Sequence, residues 1–257
     1  MIFAVLRVAR FVALVAIVGL AGVMLYEAAE APANQLFGKT LVHGPRTEKI
    51  VALTYDDGPN PPYTDRILDV LEQEHVHATF FVVGRAVRAY PEVVRREVRD
   101  GDAIGNHTWD HAHLILMTPA QIRASLERTD EAIERAAGIR PEIMRPPFGA
   151  RDWQVLAVAR SMGLVPVMWS VPLANDWLQP PPEVIARRIL RNVHDGSIIV
   201  LHDGNRGIVC AGHSFPPGTC DREAEIEATR IIVTTLRREG YRFVTIPQML
   251  ALARAGH

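Results

Sequence analysis

The sequence predicts an α/β protein whose seven parallel strands form a distorted (β/α)7 barrel, preceded by an N-terminal transmembrane helix or signal segment. From about residue 50 onward, short apolar runs typical of buried strands alternate with amphipathic segments typical of helices. Strands that alternate with helices form right-handed βαβ units, and seven units are enough to curl into a barrel or near-barrel. A doubly wound open sheet is the competing architecture.

Each strand candidate is a short apolar run, and no internal repeat or low-complexity segment interrupts their order. The candidates are Ile50–Tyr55, Thr79–Val83, Ala103–Gly105, Ile143–Arg145, Val165–Ser170, Ile198–Leu201 and Phe243–Ile246. The sequence therefore predicts a single folded domain.

Helical segments lie between these strands. The clearest begins at Thr118, where Pro119 suits the first helical position and Gln121 completes a capping box, and it should end near Gly138. Other helices are expected after Pro91, near Asp152, after Pro182, and over about 222–239 and 247–254.

The N-terminus is predicted to target the chain to a membrane. Arg7 and Arg10 precede an uncharged apolar run from Phe11 to Tyr26. This run is slightly shorter than the roughly 20 residues that span a bilayer, and Ala29–Ala31 forms an A-x-A cleavage pattern. An uncleaved anchor and a cleaved signal peptide therefore both remain open, and in either case the arginines stay on the cytoplasmic side while the rest is exported.

These features divide the chain into three parts. Residues 1–27 are the anchor or signal segment, 28–47 a linker, and 48–257 the catalytic domain. The chain carries 28 basic and 29 acidic residues, so it lacks the basic excess of nucleic-acid binders. We expect no nucleic-acid partner and an extracytoplasmic catalytic domain, secreted if the N-terminal segment is cleaved. The sequence does not reveal the oligomeric state.

The only two cysteines, Cys210 and Cys220, lie close together in a stretch rich in Gly and Pro. Export makes a disulfide chemically permissible, and we expect one. In the chain-entropy model, closing so short a loop contributes roughly 3 kcal/mol. The alternative is a metal site that uses both thiols and His213.

Polar residues follow the predicted strands at their carboxyl ends, where barrel enzymes place their active sites. The first strand runs into Asp56 and Asp57, and the third leads to His107 and His111. On a helical turn, a four-residue spacing brings two imidazoles to one side. Together with a carboxylate they make a three-ligand metal face, with His113 as the substitute ligand.

Three further polar residues follow later strands. Arg145 precedes two prolines that stiffen a loop, and it can form a bidentate pair with a carboxylate such as Asp56. Asp176 lies beyond the fifth strand. His202 emerges from the sixth strand, a position suited to acid catalysis.

Five motifs in this order, TYDDGP, HTWDH, RPPFG, DW and VLHD, resemble the polysaccharide deacetylases of the NodB homology family, carbohydrate esterase family 4. The resemblance runs from about Lys49 to Leu252. It implies that Asp56 is the general base and that a divalent metal, zinc by default, is bound by Asp57, His107 and His111.

The resemblance also implies a general acid and a groove. His202 is the expected general acid, and Asp176 would keep its imidazole ring protonated. Arg145 would orient the general base, Asp56. Pro147, Trp177 and Leu201 are expected to line the groove that holds the sugar.

The sequence departs from the family at one place. The family pattern D-x-x-D-W has Leu173 where its first Asp should stand, or Pro172 if one residue is inserted. This departure predicts an altered groove wall. The long segment from Asp203 to Asp221 is expected to overhang the site.

The function implied is removal of N-acetyl groups from a cell-envelope polysaccharide, either peptidoglycan or another polymer that contains N-acetylglucosamine. Two alternatives remain. One is an O-acetyl carbohydrate esterase of the xylan type, whose ester substrate needs no strong general acid. The other is a catalytically inactive domain that binds a glycan.

Overall fold

The computed structural model describes residues 2–210, 212, 215, 216 and 218–255, with side chains described from residue 12 onward. Their seven strands all pair in parallel. The strands are β1 (Ile50–Asp56), β2 (Thr79–Val82), β3 (Ala103–Asn106), β4 (Ile143–Met144), β5 (Val165–Pro166), β6 (Ser197–His202) and β7 (Arg242–Phe243). The pairing order is β5-β4-β3-β2-β1-β6, and β7 pairs with the start of β1.

The two ends of this strand order meet through hydrogen bonds just beyond β5. The backbone N–H groups of Ser170 and Val171 donate to the carbonyl of Ile198 in β6 at 3.1 and 3.3 Å. The N–H of Ile198 donates in return to Ser170 Oγ at 3.0 Å. The curled sheet is thus closed without a regular ladder between its ends, which confirms the predicted distorted (β/α)7 barrel.

Alternation along the strands divides the core into two layers. Ile50 and Ala52 of β1 pack inside the barrel with Ile198 and Val200 of β6. The intervening residues of both strands face outward and pack under the helices. Successive side chains of a strand point to opposite faces, so every second residue joins the same layer. Burying one large apolar side chain stabilises the fold by about 1.5–3 kcal/mol.

Nine α-helices lie in the part of the chain that the structure describes. They are α1 (Ile2–Glu30), α2 (Tyr63–Gln73), α3 (Gly84–Ala89), α4 (Pro91–Arg99), α5 (Pro119–Ala137), α6 (Trp153–Ser161), α7 (Pro182–Leu190), α8 (Glu223–Arg238) and α9 (Ile246–Ala255). The capping box of α5 forms between Thr118 and Gln121, and Gly138 ends the helix at φ 71°. The sequence interpretation of this helix is confirmed at both ends.

Helix α2 is an element that sequence reasoning did not identify. It begins after Pro62, which makes no side-chain capping hydrogen bond, so no start signal precedes it. Its buried face was nevertheless visible in the sequence, because Ile67, Leu68 and Leu71 recur at helical spacing.

The fifth strand is shorter than predicted, since Val165–Ser170 was expected and only Val165–Pro166 pairs with β4. The N–H of Val167 still donates to the Met144 carbonyl of β4 at 2.8 Å, and the opposite edge of this segment bonds to Leu41. The N–H of Leu41 donates to the Pro166 carbonyl at 2.9 Å, and the N–H of Met168 donates to the Leu41 carbonyl at 2.7 Å. The last strand is likewise shifted, from the predicted Phe243–Ile246 to Arg242–Phe243.

Helix α1 contains a stretch, Val12–Glu30, that is long and apolar enough to cross a membrane. The residues after it pack on the barrel. Arg151, which is fully buried, donates to the carbonyl oxygens of Ala29 at 3.1 Å, Ala31 at 2.8 Å and Asn34 at 2.6 Å. The predicted linker segment therefore lies against the domain in the described structure.

Candidate active site

The polar residues predicted at the strand ends meet around one cavity of about 400 Å³. Its lining includes Asp56, Asp57, His107, His111 and His202. Three strands supply these residues, β1, β3 and β6, and all three present their carboxyl ends at the same mouth of the barrel. Asp56 and His202, which lie 146 positions apart in the sequence, are thereby brought into one site.

Asp57, His107 and His111 each bring one ligand atom to a common point. Nε2 of His107 lies 3.5 Å from Asp57 Oδ1, and Nε2 of His111 lies 3.2 Å from it. The three atoms lie within 4.8 Å of one another. Asp57 Oδ1 is buried and accepts no hydrogen bond from the described residues, a costly arrangement unless a cation compensates it. The cluster therefore fits a metal ion, with three protein ligands and room for a fourth.

Hydrogen bonding fixes the orientation of the first imidazole. His107 Nδ1 lies 2.8 Å from the carbonyl oxygen of Arg145, and this contact requires Nδ1 to carry the proton. The lone pair of Nε2 then faces Asp57 and is free to bind a metal. Such a contact to the second ring nitrogen is typical of metal-binding histidines.

The electrostatics of the cluster favour its metal-binding protonation states. Burial by itself raises the pKa of Asp57, but the imidazoles of His107, His111 and His202 outweigh burial and hold it well below its usual range. Burial lowers the pKa of His111 to about 3. Asp57 is thus ionised and His111 neutral, the forms in which both residues bind metals.

The segment that carries the two histidines is irregular, so the predicted helical turn is wrong. Thr108 and His111 have φ values of 67° and 58°, and these left-handed conformations bend the chain until both rings converge. Asp57 and Phe148 also have positive φ, at 82° and 61°. Such non-glycine residues cost about 1–3 kcal/mol each and cluster at functional sites.

Asp56 is held by Arg145. Nη1 of the fully buried guanidinium donates to Asp56 Oδ1 at 2.6 Å and to Thr54 Oγ1 at 2.8 Å. Nη2 donates to the Met168 carbonyl at 3.1 Å. The contact to Asp56 therefore uses one guanidinium nitrogen. The expected bidentate pair does not form, because the other two guanidinium nitrogens donate to backbone carbonyls inside the barrel.

His202 forms the second charged pair, with Asp176. Nδ1 lies 3.1 Å from both carboxylate oxygens, and the backbone N–H of His202 donates to Asp176 Oδ2 at 2.7 Å. Burial favours the neutral ring, but the Asp176 carboxylate outweighs it and raises the pKa of His202 to about 9. The protonated Nδ1 donates to Asp176, so Nε2–H is the proton available to the cavity.

The glycine of the TYDDGP motif, Gly58, leaves space for the side chain of Asp203. A Cβ atom added at Gly58 would lie 1.9 Å from Asp203 Oδ2. That carboxylate accepts a hydrogen bond from Thr64 Oγ1 at 2.6 Å, and the Asp203 carbonyl accepts one from Asn60 at 3.2 Å. Gly58 thus allows the end of β6 to pack directly against the loop that carries Asp57.

The structure corrects two groove assignments. Leu201 is 0% exposed and packs in the outer core layer, because strand alternation turns it away from the mouth. Its neighbour Val200 lines the cavity instead. Pro147 is also buried, and Phe148 lines the cavity in its place, turned inward by its left-handed backbone. Trp177 does line the cavity, with its ring centroid 5.3 Å from that of His202.

Other residues at the cavity were not identified from the sequence. Asn205 and Arg206 line it from the segment predicted to overhang the site, and Arg206 lies over the Phe148 ring at 5.3 Å. Glu30, the last residue of α1, also lines it and lies 3.3 Å from His113 Nε2. Nothing in the local pattern around Glu30 indicated this position, because only tertiary packing brings it there.

A disulfide joins Cys210 and Cys220, as expected. His213, the third member of the alternative metal site, lies outside the described residues. The only group of three potential ligands found among the described residues is that of Asp57, His107 and His111. His113 lies apart from it, stacked on Phe148 at 5.0 Å.

Comparison with known proteins agrees with this geometry. A family model described as polysaccharide deacetylase matches residues 43–167. A peptidoglycan-N-acetylglucosamine deacetylase of Bacillus cereus is 34% identical over 211 residues, which cover 82% of this chain and 72% of that protein. The chain belongs to the polysaccharide deacetylase family.

The named substrates of similar proteins include both peptidoglycan and chitooligosaccharides. A chitooligosaccharide deacetylase of Bradyrhizobium is 36% identical over 207 residues. The aligned region covers 77% of this chain and 90% of that protein. A solved peptidoglycan N-acetylglucosamine deacetylase is 34% identical, with a TM-score of 0.73 over 82% of this chain and 92% of that one. The polysaccharide deacetylase fold thus extends well beyond the segment matched by the family model.

Proposed function

We propose that this chain is a metal-dependent hydrolase that removes N-acetyl groups from a cell-envelope polysaccharide containing N-acetylglucosamine, with peptidoglycan as the first candidate. The observation that carries the proposal is one cavity with three convergent ligand atoms, a paired carboxylate and a paired imidazole. The names of the relatives support the substrate class, since peptidoglycan and chitooligosaccharides share N-acetylglucosamine.

We propose Asp57, His107 and His111 as the metal ligands and zinc as the ion. Two imidazole nitrogens and one carboxylate oxygen are a typical donor set for catalytic zinc. A bound divalent cation would supply Lewis acidity, which polarises the acetyl carbonyl and makes water more acidic.

Asp56 is proposed as the general base. Arg145 occupies its Oδ1, so Oδ2 is the oxygen left to accept a proton from the attacking water. The same contact prevents the carboxylate from rotating out of position. It also leaves Asp56 outside the proposed metal-ligand set, even though it is adjacent to Asp57.

His202 is proposed as the general acid. An amide nitrogen leaves readily only after it is protonated, and Nε2–H of His202 can supply that proton to the leaving amine. Because the pKa of His202 is raised to about 9, the ring is charged at neutral pH. Asp176 fixes its orientation, and Trp177, Val200 and Phe148 are proposed to form the apolar part of the sugar site.

We further propose that residues 1–27 anchor the chain in a membrane and that 48–257 form an extracytoplasmic catalytic domain. The apolar stretch Val12–Glu30 supports an anchor, and Arg7 and Arg10 favour a cytoplasmic N-terminus. The exported disulfide-containing domain would then meet envelope polymers directly.

The test is acetate release by the purified full chain in detergent micelles. N-acetylated chitooligosaccharide, peptidoglycan and O-acetylated xylan are offered separately, with and without a chelator. We expect chelator-sensitive release from the N-acetylated glycans. Release from xylan alone would support the esterase, and glycan binding without any acetate release would support an inactive binding domain.

A further inference from the structure

The end of the candidate membrane helix is part of the active-site wall. Ala29 is 4% exposed and packs on Phe37 and Leu156, and its carbonyl oxygen accepts a hydrogen bond from Arg151. The next residue, Glu30, lines the cavity that holds the metal ligands. The helix is therefore docked on the barrel mouth with no free linker between them.

This docking fixes the height of the cavity above a bilayer. Tyr26 is the last residue of the uncharged run, and Glu30 follows it four residues later in the same continuous helix. At 1.5 Å per residue, the rise from Tyr26 to Glu30 is about 6 Å. If the uncharged run fills the hydrocarbon core, the cavity wall begins at the depth of the lipid headgroups.

The surface around the docked helix has the side chains of a membrane interface. Leu36, Leu116 and Trp153 are 55%, 81% and 63% exposed. Trp153 contacts Phe37 edge-on at 4.7 Å, beside the Ala29 packing site. Leu116 is held nearby, because Gln154 donates to the carbonyl of the adjacent Met117 at 2.7 Å. Tryptophan is enriched where proteins meet lipid headgroups.

We propose that these residues, here called the juxtamembrane face (Leu36, Leu116 and Trp153), rest on the outer surface of the bilayer, and that the enzyme acts on glycan chains attached to a membrane lipid. This inference rests on the proposed function and on the proposed anchor. A mouth held at headgroup depth meets glycans carried by membrane lipids at high local concentration. Polymer strands far from the membrane cannot reach it while the helix stays docked.

The kinetic test uses the full chain reconstituted in phospholipid vesicles. One substrate is chitotetraose attached through its reducing end to a phospholipid in the same vesicles, and the other is free chitotetraose at the same bulk concentration. Confinement to one surface raises the effective substrate concentration, so we expect acetate release from the lipid-attached glycan to be at least about 10-fold faster. Equal rates would overturn the inference.

A variant with a spacer in the helix tests the proposed height of the cavity above the bilayer. Seven residues of helix-forming sequence inserted after Tyr26 lift the domain by about 10 Å while Ala29 and Glu30 stay docked. We expect the advantage of the lipid-attached substrate to fall at least about fivefold, since the mouth leaves the headgroup layer, while the rate on free chitotetraose is unchanged. An unchanged advantage would contradict the proposed depth. No acetate from either substrate in detergent or vesicles would instead refute the proposed function.

A measurement without catalysis tests the surface itself. Lipids brominated near the headgroup should quench part of the tryptophan fluorescence, and that part should disappear in Trp153→Phe. Trp109→Phe is the matched control, because Trp109 is covered by Arg128 at 3.7 Å from its ring centroid. Quenching that Trp153→Phe leaves intact, or an N-terminus of the mature protein beyond Ala31, would overturn the proposal.

Discussion

The metal side and the groove side of the cavity are built in different ways. The metal side consists of residues at the ends of β1, β3 and β6, and its proposed ligands Asp57 and His107 are 6% and 2% exposed. Apart from Val200 of β6, the groove side draws on residues outside the sheet, namely Glu30 at a helix end, Leu173 in a loop and Trp177 in a short 3-10 helix, and Trp177 is 39% exposed. We infer that the sheet positions the proposed catalytic groups, whereas the segments around it form most of the proposed groove.

The two sides also differ in how tightly each group is held. Arg145 makes four contacts within hydrogen-bond distance inside the barrel, and His107 is fixed through the Arg145 carbonyl. A side chain fixed in this way keeps its geometry at no further entropic cost when substrate binds. On the groove side, Leu173 adds an apolar side chain to the cavity lining, at the place where the family pattern predicts an aspartate unless one residue is inserted.

The largest effect should come from the metal side. Asp57→Asn keeps the size of the side chain and removes the charge that compensates a cation, so we expect loss of the metal and a fall in rate of at least about 10³-fold, because the water would regain its high pKa. Metal content by elemental analysis and acetate release measure the two effects. Asp110→Asn is the matched control, since Asp110 is exposed and lies in the same segment as the histidines. Full metal content in Asp57→Asn would contradict the ligand assignment.

Most of the metal side could be predicted from the sequence, for a physical reason. Parallel strands end at the same mouth of a barrel, so residues directly after the strands meet even though their segments are far apart in sequence. Asp57, His107 and His202 all follow strands that were recognised from apolar runs. The motifs add what spacing alone leaves open, namely which of Asp56 and Asp57 faces the imidazoles.

The groove side could not be predicted in the same way. Glu30 reaches the cavity only because Ala29 packs against α6 and Arg151 binds the carbonyls around it, which no local pattern encodes. Leu201 was assigned to the groove although its neighbour Val200 faces it, since a one-residue error in strand phase reverses the direction of a side chain. The left-handed backbone of Phe148 is likewise a tertiary feature.

The second-largest effect on the rate should come from Asp56→Asn, which tests whether Asp56 is the general base and Asp57 the metal ligand. Asp56→Asn should keep the metal, because Asp56 is bound by Arg145 and lies outside the ligand cluster. Removal of a general base lowers the rate by at least about 100-fold. Metal content and kcat, measured on the same preparation, check both statements. Either a near-normal rate or loss of the metal would refute the role given to Asp56.

A smaller, pH-dependent effect is expected at His202. Its raised pKa keeps the ring protonated below about 9, so activity should be present at neutral pH and lost as pH rises through that value. Asp176→Asn removes the negative charge that raises the pKa of His202. Burial of the ring, which lowers that pKa, remains. The alkaline limb of kcat/KM should therefore move from about 9 to near or below 6.5, with a loss at neutral pH of about 10-fold to 100-fold. A pH profile that keeps its alkaline limb would contradict the pairing.

The smallest effect on activity is expected from a pair of variants that compares a groove residue with a core residue. Val200 and Leu201 are neighbours on β6, and each can be shortened to alanine. Val200→Ala removes apolar surface from the cavity wall, so KM should rise about 3-fold to 10-fold while kcat and metal content stay near normal.

Leu201→Ala should do the reverse, because that side chain is buried between the sheet and the helices. It should lower the free energy of unfolding by about 2–5 kcal/mol, with KM unchanged in the folded protein. Denaturant unfolding and steady-state kinetics on both variants measure the contrast. If Leu201→Ala raised KM and Val200→Ala did not, the strand phase at the mouth of the barrel would be wrong. The groove wall would then have to be reassigned to the outward-facing residues, although the proposed ligands Asp57, His107 and His111, which lie beyond the ends of β1 and β3, would keep their assignment.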